Sequence, residues 1–265
     1  MTVAHELLHG ILFFEHFPQY RPQYRTVFPF ITDVVREVAH CAVHVVVDCR
    51  LHALGYEVRA ERAEKAEGRM VTLAKIRAEV RDPRLLHWWY IRVAEEIATY
   101  ATFPTDNSSL AEHFTVQARE HLPGCLGLAN RFTSILRKMA VDDPLNVQQS
   151  LREMLAAIET EFWAYSYFTN LQRLAIISPV FLTRKQLDDP AQNCVRVDLG
   201  TVTNHQKGEK GNLAVVADRL SGATWGIATT KDLIDEKKIA LAFEDLAKQP
   251  LEEFLQFCQI EYVER

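Results

Sequence analysis

The sequence predicts a mainly α fold, a multi-helix bundle with a small antiparallel β appendage near residues 193–230. Three observations carry that expectation. Most of residues 1–178 shows apolar residues at helical spacing, punctuated by Pro, Gly and capping residues. Only 10 Gly and 10 Pro occur in 265 residues, which favours long regular elements over a loop-rich scaffold. Beyond Pro179 the pattern changes to short alternating or β-branched runs separated by turn signals. The expected organisation is a helical domain over residues 1–178, carrying any metal site, and a small α+β region over 179–265.

The elements follow in order. An opening helix spans about Thr2 to His16 and is stopped by Pro18 and Pro22. A second runs from Phe30 to Leu54, with Gly55 placed to close it in a left-handed conformation. A third, Arg59 to Val80, is rich in Ala, Glu, Lys and Arg and reads as exposed. Asp82-Pro83 supplies an N-cap and an N1 proline for a fourth, which ends before Pro104. Ser109 and Glu112 suit a capping box for a short fifth, which Pro123-Gly124 breaks. A sixth runs to Met139, and Asp143-Pro144 opens a long seventh that lasts until Pro179. Val195 to Val202, Leu213 to Ala217 and Thr224 to Thr229 read as strands. Lys207-Gly208, Lys210-Gly211 and Ser221-Gly222 read as turns between them. Closing helices are expected at Lys231 to Lys248 and Leu251 to Val263.

Composition bounds the function. With 48% hydrophobic and 25% charged residues the chain is of ordinary globular type. A formal charge of −5 argues against nucleic acid or an anionic membrane as partner. No apolar run approaches the length of a membrane span. The start, MTVAHELLHG, lacks a basic segment followed by an apolar core, so a cytoplasmic location is expected. Cys41, Cys49, Cys125, Cys194 and Cys258 form no C-x-x-C pair and read as reduced thiols.

His5-Glu6-Leu7-Leu8-His9 is an H-E-x-x-H motif. On a helix, residues i and i+4 share a face, so His5 and His9 can chelate one zinc ion. Glu6 then stands beside the ion's open position, where it can act as general base toward water. Leu7 and Leu8 are expected to anchor the adjoining face. On the second helix Asp33, Glu37, His40, His44, Asp48 and His52 fall within an arc of about 120°. The rest of that helix is largely apolar, including Val34, Val38, Ala42, Val46 and Leu51. A titratable stripe on so apolar a helix needs partners, and a metal site is one; a solvated amphipathic face is the alternative.

The run from His5 to Glu57, with HELLHGILFFEHFP and HVVVDCRLHALGYE, resembles H-E-x-x-H zinc metallopeptidases. His16 stands where such sequences carry the Gly of a G-F-P-like turn. Trp88 to Tyr100 is similar to the W-L-x-E-G-L-A-x-Y segment of gluzincin-type peptidases, whose Glu binds zinc. Register on Ala98 and Tyr100 makes Glu95 the implied third ligand, with Glu96 at the usual Gly. His40, His44, Asp48 and Glu96 are then supporting groups or alternative ligands. The resemblance implies a zinc peptidase acting on a peptide or protein substrate. It also implies a sheet ahead of the motif helix. Only Met1 to Ala4 precede His5, so the expectation is that the chain is truncated ahead of Met1, that a protein partner supplies the sheet, or that the helices are a degenerate relic without proteolysis.

Two other readings use the same residues. Helix-borne E-x-x-H occurs at Glu6/His9 and Glu37/His40. With Glu95 or Glu96 and Glu159 or Glu161, these would suit a di-iron carboxylate bundle, an oxidase or oxygenase. Alternatively the chain is a non-catalytic helical adaptor or regulatory protein. Phe162, Trp163, Tyr165, Tyr167 and Phe168 on the seventh helix are its interaction surface or, at the same spacing, core. No G-x-S-x-G elbow, placed Cys–His pair or Gly-rich phosphate loop occurs.

Overall fold

The structure is a computed structural model that describes residues 2–20, 29–102, 108–169, 171–203, 210–230 and 236–265. It is mainly helical with a small antiparallel sheet, and divides into two units. Met1–Phe17 with Arg36–Thr169 form the first, and Pro18–Val35 with Asn170–Arg265 the second. Among the described residues no helix is long and apolar enough to cross a membrane.

The helices of the first unit are α1 (Thr2–Phe14), α2 (Pro29–Ala53, shared with the second unit), α3 (Val58–Glu79), α4 (Pro83–Thr102), α5 (Ser108–His121), α6 (Leu126–Leu136) and α7 (Pro144–Glu161). Helix α2 carries a β-branched run, Val45-Val46-Val47, of modest helix propensity. Burial overrides it: Val38, Ala42, Val46, Val47 and Leu51 are fully or nearly fully enclosed. Phe114, Phe132, Leu128 and Leu151 from α5, α6 and α7 complete the core, with α4 packed on α5 and α6. Asp82 accepts a hydrogen bond from the Arg84 amide at 2.9 Å and Asp143 from the Leu145 amide at 3.0 Å, ahead of Pro83 and Pro144. These are the caps that the Asp-Pro pairs announce.

Helices α1 and α2 close alike. Gly55, at φ 84, ends α2 while the Tyr56 amide donates to Leu51 O at 3.0 Å and Gly55 N–H to His52 O at 2.9 Å. His16, at φ 63, ends α1 while Phe17 N–H donates to Leu12 O at 3.0 Å. Both are Schellman closures, and His16 holds the left-handed position glycine prefers.

Several boundaries differ from expectation. Helix α7 stops at Glu161, and a 3-10 turn at Ser166–Phe168 follows. The cause is packing: Phe162 and Phe168 are 6% and 1% exposed and stack with ring centroids 5.0 Å apart. Residues six apart on one helix are separated by about 9 Å along the axis and point to different faces, so the chain must fold back to stack them. Trp163, 81% exposed, points the other way. Helix α6 ends at Leu136, short of Met139. Ser109 lies inside α5, which starts at Ser108, and so does not cap it. Helix α3 is not merely an exposed helix, because Ala66, Leu73 and Ile76 are buried along one face.

In the second unit β1 (Gln19–Tyr20) pairs antiparallel with β2 (Ile177–Ser178). Strand β3 (Val180–Leu182) runs parallel to β7 (Tyr262–Glu264). The expected antiparallel sheet is a meander, β4 (Val195–Thr203), β5 (Lys210–Asp218) and β6 (Thr224–Thr230). Lys210-Gly211 opens β5 instead of forming a turn, whereas Gly222, at φ 70, turns the chain between β5 and β6. Lys207-Gly208 lies outside the described residues. Short helices α8 (Leu171–Leu174), α9 (Arg184–Asp188) and α10 (Ala191–Cys194) precede the sheet, and α11 (Glu236–Leu246) and α12 (Leu251–Phe257) follow it. Val180, Leu187, Val195, Val216, Phe254 and Ile260 share one core. The last helix ends at Phe257, not Val263, because Gln259 takes φ 54 and Ile260 N–H donates to Leu255 O at 2.9 Å. That closure releases the final residues to form β7.

Candidate metal centre

Helix α1 buries Leu8 and Leu12 at 7% and 0% exposure, and this face sets the direction of its histidines. Leu7 is 63% exposed, so Leu8 alone of the motif's leucines anchors the helix. His5 and His9 lie one turn apart with their Nε2 atoms 3.1 Å from each other. His44, from the middle of α2, meets both, at ring-centroid distances of 5.2 and 5.1 Å. One ring nitrogen from each of the three lies within 4.8 Å of the others, and all three residues are half-buried. Among the described residues this is the only such grouping of His, Cys, Asp or Glu. Two imidazole nitrogens on a tetrahedral zinc ion, each about 2.0–2.1 Å from it, stand about 3.3 Å apart, which the His5–His9 spacing nearly matches.

The electrostatics keep these rings neutral. Burial, then the neighbouring His9, lowers His5; burial, with His40 adding to it, lowers His9. Burial and the charges of Arg62 and the other histidines push His44 down to about 3. Unprotonated imidazoles are what a metal requires of its ligands. Glu6 is exposed on the solvent side of α1, and its charge favours the protonated form of both His5 and His9. Asp48, one turn beyond His44, acts on the same two rings from inside the fold. Its carboxylate is 0% exposed; Oδ2 accepts from Arg62 Nε at 2.8 Å and lies 2.6 Å from a second Arg62 nitrogen, while Oδ1 has no hydrogen-bond partner.

His44 also lines a cavity of about 520 Å³ formed by α2, α3 and α4. Glu37 and His40 come from α2, Arg62 and Arg69 from α3, and Arg92, Glu95, Glu96 and Tyr100 from α4. Glu37 is paired with Arg92 and, at 3.3 Å, with Arg36. Glu96 accepts from Arg69 Nε at 2.9 Å and lies 3.8 Å from Arg92. Glu95 has no such cation within 4 Å among the described residues; it is 6% exposed and its Oε1 lacks a hydrogen-bond partner. Burial raises both carboxyls, Glu95 well above the ordinary carboxylate range. Cys41, on the same wall, is pushed up by complete burial and is a thiol, not a nucleophilic thiolate.

The structure thus brings His5 and His9 together with His44. Glu95 and Glu96 stand apart from that trio on the cavity wall, with His40 at its rim. Glu161 pairs with Arg131 at 3.5 Å, away from the cavity lining. Sequence reasoning missed Arg62, Arg69 and Arg92. A signal existed for α3: Arg62, Ala66, Arg69, Leu73 and Ile76 follow 4-3-4-3 spacing, one helix face with its arginines toward the cavity. No protein-family model, curated protein or solved structure matches the chain.

Proposed function

We propose that the chain is a metal-dependent hydrolase in which His5, His9 and His44 hold one divalent ion, zinc by the chemistry of the donors. The observation that carries this reading is the convergence of three imidazoles, lowered in basicity, within 4.8 Å. Three nitrogen ligands that leave a fourth position open are the donor set of catalytic rather than structural zinc. Bound there, the ion supplies a Lewis acid for a carbonyl oxygen and acidifies water. Glu6, exposed next to both α1 histidines, takes the proton from the attacking water and returns it to the leaving amine. Asp48, itself fixed by Arg62, holds its negative charge behind His5 and His9 and so strengthens them as donors. The cavity that His44 lines would receive the substrate's flank. Amide hydrolysis, as in the zinc peptidases that the motif resembles, is the reaction assigned.

Zinc uptake by the chelator-stripped protein tests the ligand set. One ion per chain is expected. His9→Ala and His44→Ala should lose it, while Glu6→Gln should keep it and lose turnover on a panel of peptide amides. Failure to take up zinc, or unchanged uptake by His44→Ala, would overturn the reading.

A further inference from the structure

The cavity between α2, α3 and α4 holds buried acceptor oxygens without matching donors. Glu37 and Glu96 each have guanidinium partners within 4 Å, and the carboxylate behind the wall, Asp48, has Arg62. Among the described residues Glu95 has none within 4 Å, although it is 6% exposed and lines the same space. Among the described residues, the buried atoms without a hydrogen-bond partner at the wall are carboxylate oxygens: Glu37 Oε2, which is ion-paired with Arg92, and Glu95 Oε1 and Glu96 Oε2, which face no cation in an ion pair. No guanidinium nitrogen is among the unpartnered buried atoms in the described residues. The three arginines are therefore engaged in holding acids, and what the wall lacks is a donor to these oxygens. Burial raises the Glu95 carboxyl, and a cation beside it would favour its charged form and displace its proton.

We propose that this cavity binds a primary ammonium group, with Glu95 as its counter-ion and Glu96 Oε2 as a second acceptor. An ammonium offers several N–H donors on a compact charge, which suits two acceptors on successive residues of one helix. A space of about 520 Å³ is far larger than one water's share of about 30 Å³ and admits a small organic cation with its alkyl stem. Cys41 and Thr99 on the wall give that stem less polar neighbours. Ammonium binding stands on the cavity alone. That the ammonium belongs to the substrate, which would make the enzyme select amine-bearing amides, rests on the hydrolase reading.

The test uses n-butylammonium chloride, sodium butyrate and 1-butanol, titrated calorimetrically into the full-length protein in chelator-stripped and zinc-loaded forms. Butylammonium should bind both forms, and at least tenfold more tightly than butyrate or butanol. Glu95→Gln, which keeps the side chain's shape, should weaken it at least tenfold, whereas Glu153→Gln on exposed α7 surface should not. Circular dichroism verifies that the variants fold. Butyrate binding as tightly as butylammonium would show that the arginines form an anion site and would overturn the proposal. So would absent butylammonium binding, or an unchanged affinity in Glu95→Gln. Because the stripped protein is tested separately, loss of the metal reading leaves the ammonium result standing. With the zinc-loaded enzyme, butylammonium should compete with substrate; binding without competition would refute the substrate role alone.

Discussion

Replacing Asp48 with alanine tests stability and site together. The carboxylate is 0% exposed and two Arg62 nitrogens converge on Oδ2 at 2.8 and 2.6 Å. Removing one partner of a buried pair costs about 3–5 kcal/mol, because the other charge is left without compensation. Arg62 keeps 15% of its side chain in contact with solvent, so the lower end applies, about 3 kcal/mol. For a unit of roughly 150 residues each kcal/mol lowers the melting temperature by about 2–4 °C, which makes the expected drop about 6–12 °C. Asp48→Asn keeps the shape and an acceptor and should lose less, about 1–2 kcal/mol. The second readout is zinc affinity. Asp48 supports the basicity of His5 and His9, so its loss should weaken zinc by about 10–100-fold, the range for groups that orient and polarise metal ligands. Scanning calorimetry, calorimetric zinc titration and a cycle with Arg62→Met measure both effects. If Asp48→Ala melts within 2 °C of the parent, by the scale above of about 2–4 °C per kcal/mol, the pair is not the buried strut described. If zinc affinity is unchanged, Asp48 has no part in the centre.

Two other substitutions probe local physics. His16→Gly should stabilise the protein by about 0.5–1 kcal/mol in urea unfolding, because φ 63 strains an L-residue, and an unchanged midpoint would deny the left-handed closure. Burial holds His87 below the ordinary imidazole range. The unfolded chain therefore takes up a proton that the folded chain refuses, and stability falls as pH drops below about 6.5. His87→Gln should flatten that part of the stability–pH curve, and an unaltered slope would show that His87 does not titrate as described.

What was legible in the sequence was local. Asp82-Pro83, Asp143-Pro144 and Gly55 mark helix ends through contacts within a few residues, and each acts as the residue types require. The end of α7 was not legible, because Phe162 and Phe168 fit a helical pattern and only their stacking around His87 forces the turn. Strands β1 and β2 are two residues each and meet across more than 150 positions, and β3 and β7 are three residues each. Runs so short carry no periodicity of their own; their partners define them. The segment 18–35 joins the second unit for the same reason, since β1 is bound to β2.

The candidate site divides along the same line. Helix geometry alone brings His5 and His9 together, but the residue that completes the group depends on how α1 and α2 pack. Along α2 the stripe passes from exposed His40 through half-buried His44 to Asp48, which is 0% exposed. Each step is one helical turn, so the three differ chiefly in depth. At the shallow end His40 stands at the cavity rim, one turn beyond the pair's reach. At the deep end Asp48 is committed to Arg62 and contributes through its charge. His44 lies where desolvation is strong enough to keep an imidazole unprotonated and solvent is still close enough for an ion to enter. The motif brings two imidazoles together by spacing, whereas the third joins them at a depth set by a gradient of burial, which no local pattern in the sequence encodes.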